Sequence, residues 1–143
     1  MAGIAFSTSP VGLVHALAHT VGAMYGIHHG AANSIFLPAV LRFNLPRCRD
    51  QIGDLLLYLT GADVYAGTYV DRRPEEAIGR IEELKEKAHA LCGLPRTLAE
   101  TGKVSRDALP EVATRSLDDG TMVMNPRDVT YEQALEVLEA AWD

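Results

Sequence analysis

Proline and glycine cut this chain into pieces of helical length, and between the cuts the apolar residues recur at a 3.6-residue spacing. The clearest piece starts at Pro74, a residue tolerated at the first position of a helix, followed by Glu75 and Glu76, which favour the positive end of the helix dipole. Ile78, Ile81, Leu84, Ala88 and Leu91 then form a predicted buried stripe, with Glu76–Arg80 and Glu83–Lys87 as i,i+4 pairs on the wet side. Gly93 and Pro95 end it. An earlier helix is predicted from Ser9 as N-cap and Pro10, with Leu13, Val14, Leu17, Ala18, Val21 and Met24 inward and Gly26 as terminator. A second helix is expected from about Gly30 to Phe43, kinked at Pro38, and a third from Arg47 to Leu59. Ala62 to Arg73 reads as loop, because Gly67 interrupts a short run of β-formers that has no partner strand. A short helical turn within Leu94–Gly102, a helix over Ser105–Leu117, a turn at Asn125-Pro126-Arg127 and a final helix complete the pattern. Thr130 and Gln133 make a capping box for that last helix, which should bury Ala134, Leu135, Leu138 and Ala141 and be anchored by Trp142. The fold class is all-α.

The length, 143 residues, suits one domain, read as residues 1–143. Thirteen basic against nineteen acidic residues give a formal charge of −6, which argues against nucleic acid or an anionic membrane as the main partner. The most apolar stretch, Leu13 to Tyr25, is too short to span a bilayer and carries two histidines. Cys48 and Cys92 are too few for a disulfide framework or a thiolate zinc site, so they are expected to be buried or half-buried thiols in a reducing, cytoplasmic setting.

Chemistry concentrates in the histidines. Four of the five, His15, His19, His28 and His29, fall within one short stretch. His15 and His19 lie four apart and share a helix face, while His28 and His29 follow the glycine that ends that helix. Neutral imidazoles suit zinc, iron or nickel. From spacing alone, a histidine on an apolar helix face is more usually one hydrogen-bonded in a core. The glutamate of the H-E-x-x-H zinc-protease pattern is absent, since Ala16 and Leu17 fill the middle. His89, near the end of the clearest helix, reads as structural.

The run Gly12-Leu13-Val14-His15-Ala16-Leu17-Ala18-His19-Thr20-Val21-Gly22, followed by His28-His29-Gly30, resembles the histidine signature of the iron-containing (group III) alcohol dehydrogenases. The flanks are similar too: Ala2-Gly3-Ile4-Ala5-Phe6-Ser7, Ala31 to Pro38, Arg42-Phe43-Asn44 and Asn125-Pro126-Arg127. The resemblance covers the whole chain. It implies an all-helical bundle of the dehydroquinate synthase-like α type, the metal-carrying C-terminal domain of an enzyme whose N-terminal α/β domain binds NAD(P). It also implies that His15 and His29 are metal ligands for Fe(II) or Zn(II). His19 would be a catalytic, cofactor-side residue beside the nicotinamide and the substrate, a small alcohol or aldehyde. In such enzymes the metal acts as a Lewis acid while hydride passes between the alcohol carbon and the nicotinamide.

Three local departures stand out. His28 stands where the family usually has proline, Thr20 where proline commonly follows the second histidine, and Ala39 where a histidine is common. The family's remaining two ligands and its glycine-rich nucleotide loop have no counterpart in these residues, so the isolated chain is expected to bind metal weakly and not to turn over. The alternatives are a non-catalytic oligomeric module, a metal-binding module that recruits His28, or a maleylacetate reductase or glycerol dehydrogenase type of enzyme. Apolar surface left open by the missing segments is expected to drive homo-oligomerisation.

Overall fold

The computed structural model describes residues 11–143, which form six α-helices, three 3₁₀ turns and no strand. Helix α1 (Leu13–Tyr25) buries Leu13, Ala16, Leu17, Ala18 and Val21. The predicted start at Ser9 and Pro10 lies outside the described residues; Gly12 holds the N-cap position. Gly26 takes the left-handed conformation (φ 63°) and its N–H returns to the Gly22 carbonyl, as a helix stop requires.

The two helices predicted over 30–43 and 47–59 are one continuous run, α2 (His29–Thr60), broken only at Cys48, whose backbone leaves helical geometry (φ −127°, ψ 28°). The break therefore follows Pro46 rather than Pro38. Pro38 is buried within helical backbone, and Pro46 lies two residues before the break, on the last turn of the first half of the run. The segment expected to be loop contains a short helix, α3 (Ala62–Gly67). Tertiary contacts override its β-formers: the Tyr65 hydroxyl donates to Asp54 (2.7 Å), and the Arg73 guanidinium lies 3.8 Å from the Tyr65 ring centre.

Helix α4 (Arg73–Cys92) packs along α2, from Gly53, near the start of α4, to Arg42, which pairs with Glu82. Its buried face is narrower than the sequence stripe. Ala77 and Ile78 are enclosed, Ile81 and Ala88 are half-buried, and Leu84 and Leu91 are 52% and 86% exposed. Glu76 pairs with Arg80 as predicted (2.8 Å), but Glu83 turns back to Arg80 (3.0 Å) instead of forward to Lys87. Cys48 is half-buried; Cys92, expected to be at least half-buried, is exposed because it sits on the last turn of α4.

After 3₁₀ turns at Ala99–Thr101 and Arg106–Ala108, helix α5 (Leu109–Leu117) buries Leu109, Val112 and Ala113. A third 3₁₀ turn, Gly120–Met124, leads to α6 (Tyr131–Ala140), whose Thr130–Gln133 capping box forms in both directions. Ala134, Leu138 and Ala141 are buried as predicted, with Val137 in the place foreseen for Leu135. Trp142 packs half-buried against the core, and the Ala141 and Trp142 carbonyls accept from Leu98 and Ala99 N–H. One apolar cluster joins α1, the first half of α2, α5 and α6 around Leu17, Phe36, Val112 and Leu138. None of the described helices is long and apolar enough to cross a membrane.

A polar clasp crosses this core. Asn44 and Asn125 exchange reciprocal amide bonds of 3.0 and 2.9 Å. Asn125 Oδ1 also accepts from the Leu13 backbone N–H (3.3 Å), and its Nδ2 donates to the Arg127 carbonyl (2.7 Å). The first turn of α1, the middle of α2 and the 125–127 turn are thereby tied together. A β-carbon on Gly12 would come within 3.0 Å of the Asn125 Cα and Oδ1, which explains glycine there.

Candidate functional site

Helix α1 presents His15 and His19 on one face, four residues apart, and the turn at Gly26 brings His29, the first residue of α2, back toward them. The three rings form a compact triangle. Centroid separations are 5.2 Å for His15–His29, 5.3 Å for His19–His29 and 5.8 Å for His15–His19. Their orientations differ. His19 and His29 are stacked, 18° from parallel, while His15 and His29 are inclined at 58°.

An ion bound in the plane of an imidazole lies about 3.2 Å from the ring centre, given a metal–nitrogen bond of about 2.1 Å. Two rings that subtend a roughly tetrahedral angle at one ion then have centres about 5.2 Å apart. The inclined His15–His29 pair has that separation. The stacked His19–His29 pair does not suit a shared ion, because two nearly parallel, displaced rings cannot both hold it in plane.

Each ring is set by its own surroundings. Burial pushes the His15 imidazole below its ordinary pKa, and the neighbouring His29 and His19 push it further in the same direction. His15 is therefore biased toward the neutral form, the form that ligates metals. His29 Nε2 accepts from the Asn33 amide one turn later (3.0 Å), so this nitrogen is unprotonated and its lone pair is held by that amide, which an ion bound there would displace. Asn33 Oδ1 is buried beside it with no partner among the described residues. No group of three or more His, Cys, Asp or Glu residues able to hold a metal ion is found among the described residues.

His19 is held differently. Its Nδ1 lies 2.9 Å from Asp119 Oδ2, a residue one hundred positions away at the start of the third 3₁₀ turn. Burial alone would raise the Asp119 carboxyl, but the Thr121 hydroxyl and backbone N–H, together with His19, hold it below the usual carboxylate range. Asp119 was not singled out by sequence reasoning. Its one local signal is the Asp119-Gly120-Thr121 spacing, in which an aspartate caps the residue two positions on (2.8 Å).

His28 does not join the triangle. It lies exposed at the N-cap of α2 and lines a separate cleft with His89, Glu100 and Lys103. His89 donates from Nδ1 to the Leu94 carbonyl (2.9 Å), which closes the end of α4 and fits its structural reading. Thr20 is buried, its hydroxyl donating back to the Ala16 carbonyl (2.9 Å), so it occupies the proline position without leaving an unpaired group. Beside His15 opens an apolar groove of about 750 Å³ between α1, α2 and α4, lined by Val14, Leu37, Leu55, Ile81, Leu84 and Ala88 among others. This groove is where the apolar stripe of α4 goes when it does not reach the core.

Comparison with known proteins places this arrangement. Residues 1–142 match the family model described as Fe-containing alcohol dehydrogenase family, C-terminal. The chain is 33% identical over 142 residues to lactaldehyde reductase of Escherichia coli (strain K12), covering 99% of this chain and 35% of that protein. It is 30% identical over 141 residues to the NAD-dependent methanol dehydrogenase of Bacillus methanolicus, with 99% and 35% covered. Its structure is similar to that of an alcohol dehydrogenase from Oenococcus oeni, with a TM-score of 0.86 at 27% identity over 99% of this chain and 35% of that one. The chain thus spans about a third of the length of the relatives it matches. By its histidine triangle, its helical architecture and these matches, the chain belongs to the Fe-containing alcohol dehydrogenase family and corresponds to the family's C-terminal part.

Proposed function

We propose that this chain is the metal-holding helical part of an NAD(P)-dependent alcohol dehydrogenase, with His15 and His29 as two of the ligands to a divalent ion. The observation that carries the reading is the 5.2 Å separation and 58° inclination of these two rings, together with an unprotonated Nε2 on His29 and a neutral bias on His15. Imidazole nitrogens suit Fe(II) and Zn(II) alike. When bound, such an ion would supply Lewis-acid polarisation of an alcohol or carbonyl oxygen.

The remaining tasks fall to the chain's own groups. His19 stands against the ligand pair without the geometry to share their ion, which leaves it free to orient a substrate hydroxyl and to move a proton at a ring nitrogen. The apolar groove beside His15 keeps water from that side of the ligand pair once it is covered. We propose that the cover is the remainder of the dehydrogenase or a second copy of the chain. Exposed Tyr58, Leu84 and Leu91 on the same helices favour such burial. Light scattering on the chain alone is expected to give a dimer or larger species; a clean monomer would count against self-association.

Two imidazoles are fewer than the three protein ligands of a typical catalytic zinc site. The chain alone, given Fe(II) or Zn(II), NAD(P)+ and small alcohols, is therefore expected to show no turnover. Joined to the preceding segment of a family relative such as the E. coli lactaldehyde reductase, it is expected to reduce NAD(P)+ in a metal-dependent way. Robust turnover by the chain alone, or turnover in the joined protein that survives His29→Ala, would overturn the reading.

A further inference from the structure

We propose that Asp119 is the positioning residue for His19, fixing its neutral ring as the Nδ1–H tautomer and leaving Nε2 as the unprotonated nitrogen. The geometry is that of a built pair. Asp119 Oδ2 is 2.9 Å from His19 Nδ1, and the Asp119 side chain is only 20% exposed. The other carboxylate oxygen, Oδ1, accepts two bonds from Thr121, from its backbone N–H at 2.8 Å and its hydroxyl at 2.6 Å. With Oδ1 occupied, the carboxylate plane is set, and Oδ2 is aimed at the imidazole. An ionised carboxylate only accepts hydrogen bonds, so the ring nitrogen facing it must donate.

The second constraint on the ring comes from the opposite side. His19 stacks on His29 at 5.3 Å and 18°, which restrains the ring plane, and of the two ring flips that keep this plane only one offers Nδ1 to Asp119. Asp119 and His29 together therefore determine both the ring plane and which nitrogen holds the proton. The chemical consequence is directional. A ring with Nδ1–H and a bare Nε2 accepts a hydrogen bond or a proton from a hydroxyl at Nε2, whereas the opposite tautomer would donate there. Thr121 acts through Asp119, as Asp119 acts through His19. The use of Nε2 toward an alcohol rests on the proposed function; the tautomer itself does not.

The test reads the tautomer directly on the chain as it stands, without metal or cofactor. Long-range 1H–15N correlation spectra of the uniformly 15N-labelled chain would be recorded at about pH 8.5, roughly two units above the ordinary imidazole pKa. His19 is expected to show a protonated Nδ1 and an unprotonated Nε2. Asp119→Ala is expected to shift His19 toward the Nε2–H form while the backbone amide spectrum stays folded. Thr121→Val, which removes one of the two bonds that aim the carboxylate, is expected to give a smaller shift in the same direction. A wild-type His19 that is Nε2–H would overturn the proposal whatever the variants do. So would a folded Asp119→Ala chain with an unchanged tautomer, or, should that variant not fold, a Thr121→Val chain with an unchanged tautomer. Absence of turnover in the joined dehydrogenase would leave this result standing, so the two readings fail separately.

Discussion

Alanine in place of His29 is expected to weaken Zn(II) or Co(II) binding by roughly 10- to 100-fold, and alanine in place of His15 by a similar factor. The reasoning is one of effective concentration. Once an ion is held by one imidazole, the second binds it as an intramolecular partner, and removing either ligand forfeits that advantage. The two rings come from different elements, the first turns of α1 and the N-terminus of α2, and the fold holds their centres 5.2 Å apart before any ion arrives. His28→Ala and His89→Ala are the matched controls, because both residues line another cleft. Isothermal titration of the four variants separates the outcomes. Loss on His28→Ala with none on His29→Ala would move the ion to the wrong side of α2.

Asn125→Ala is expected to cost about 3 kcal/mol of folding stability. The substitution removes the acceptor of the Leu13 N–H and both halves of the reciprocal amide bond with Asn44. Asn44 is only 7% exposed, so its amide is left buried without partners, at about 1–3 kcal/mol for an unsatisfied group. Denaturant unfolding of the two chains measures the difference. A loss under about 1 kcal/mol would mean that water replaces Asn125 freely and that the clasp is incidental. Because Asn125 anchors the first turn of α1, the variant is also expected to loosen the placement of His15 two residues later.

The helices were legible wherever punctuation and period agreed. Gly26, Gly93 and the Thr130–Gln133 box each ended or began a helix at the expected residue, because caps act through local backbone bonds. Long-range contacts were not legible. The Tyr65–Asp54 and Arg73–Tyr65 contacts that accompany α3 join parts of the chain that local propensity does not connect. Period alone placed Leu84 and Leu91 inside, yet it cannot say whether an apolar stripe meets the core or an open groove.

The site divides in the same way. Spacing made His15 and His19 neighbours, and that proximity holds at 5.8 Å. Spacing could not show that the turn at Gly26 returns His29 to the pair; the family signature suggested it. Asp119 was invisible to both. Its 3₁₀ turn has no hydrophobic period, and its partner lies across the bundle rather than along the chain.

The most direct measurement is a Co(II) titration of the 15N-labelled chain, following the five histidine rings by paramagnetic broadening and shift. The ring nitrogens of His15 and His29 should respond first and together, with His28 and His89 unaffected at the same metal ratio. A response centred on His28 or His89, or on only one of His15 and His29, would contradict a shared ion between α1 and α2.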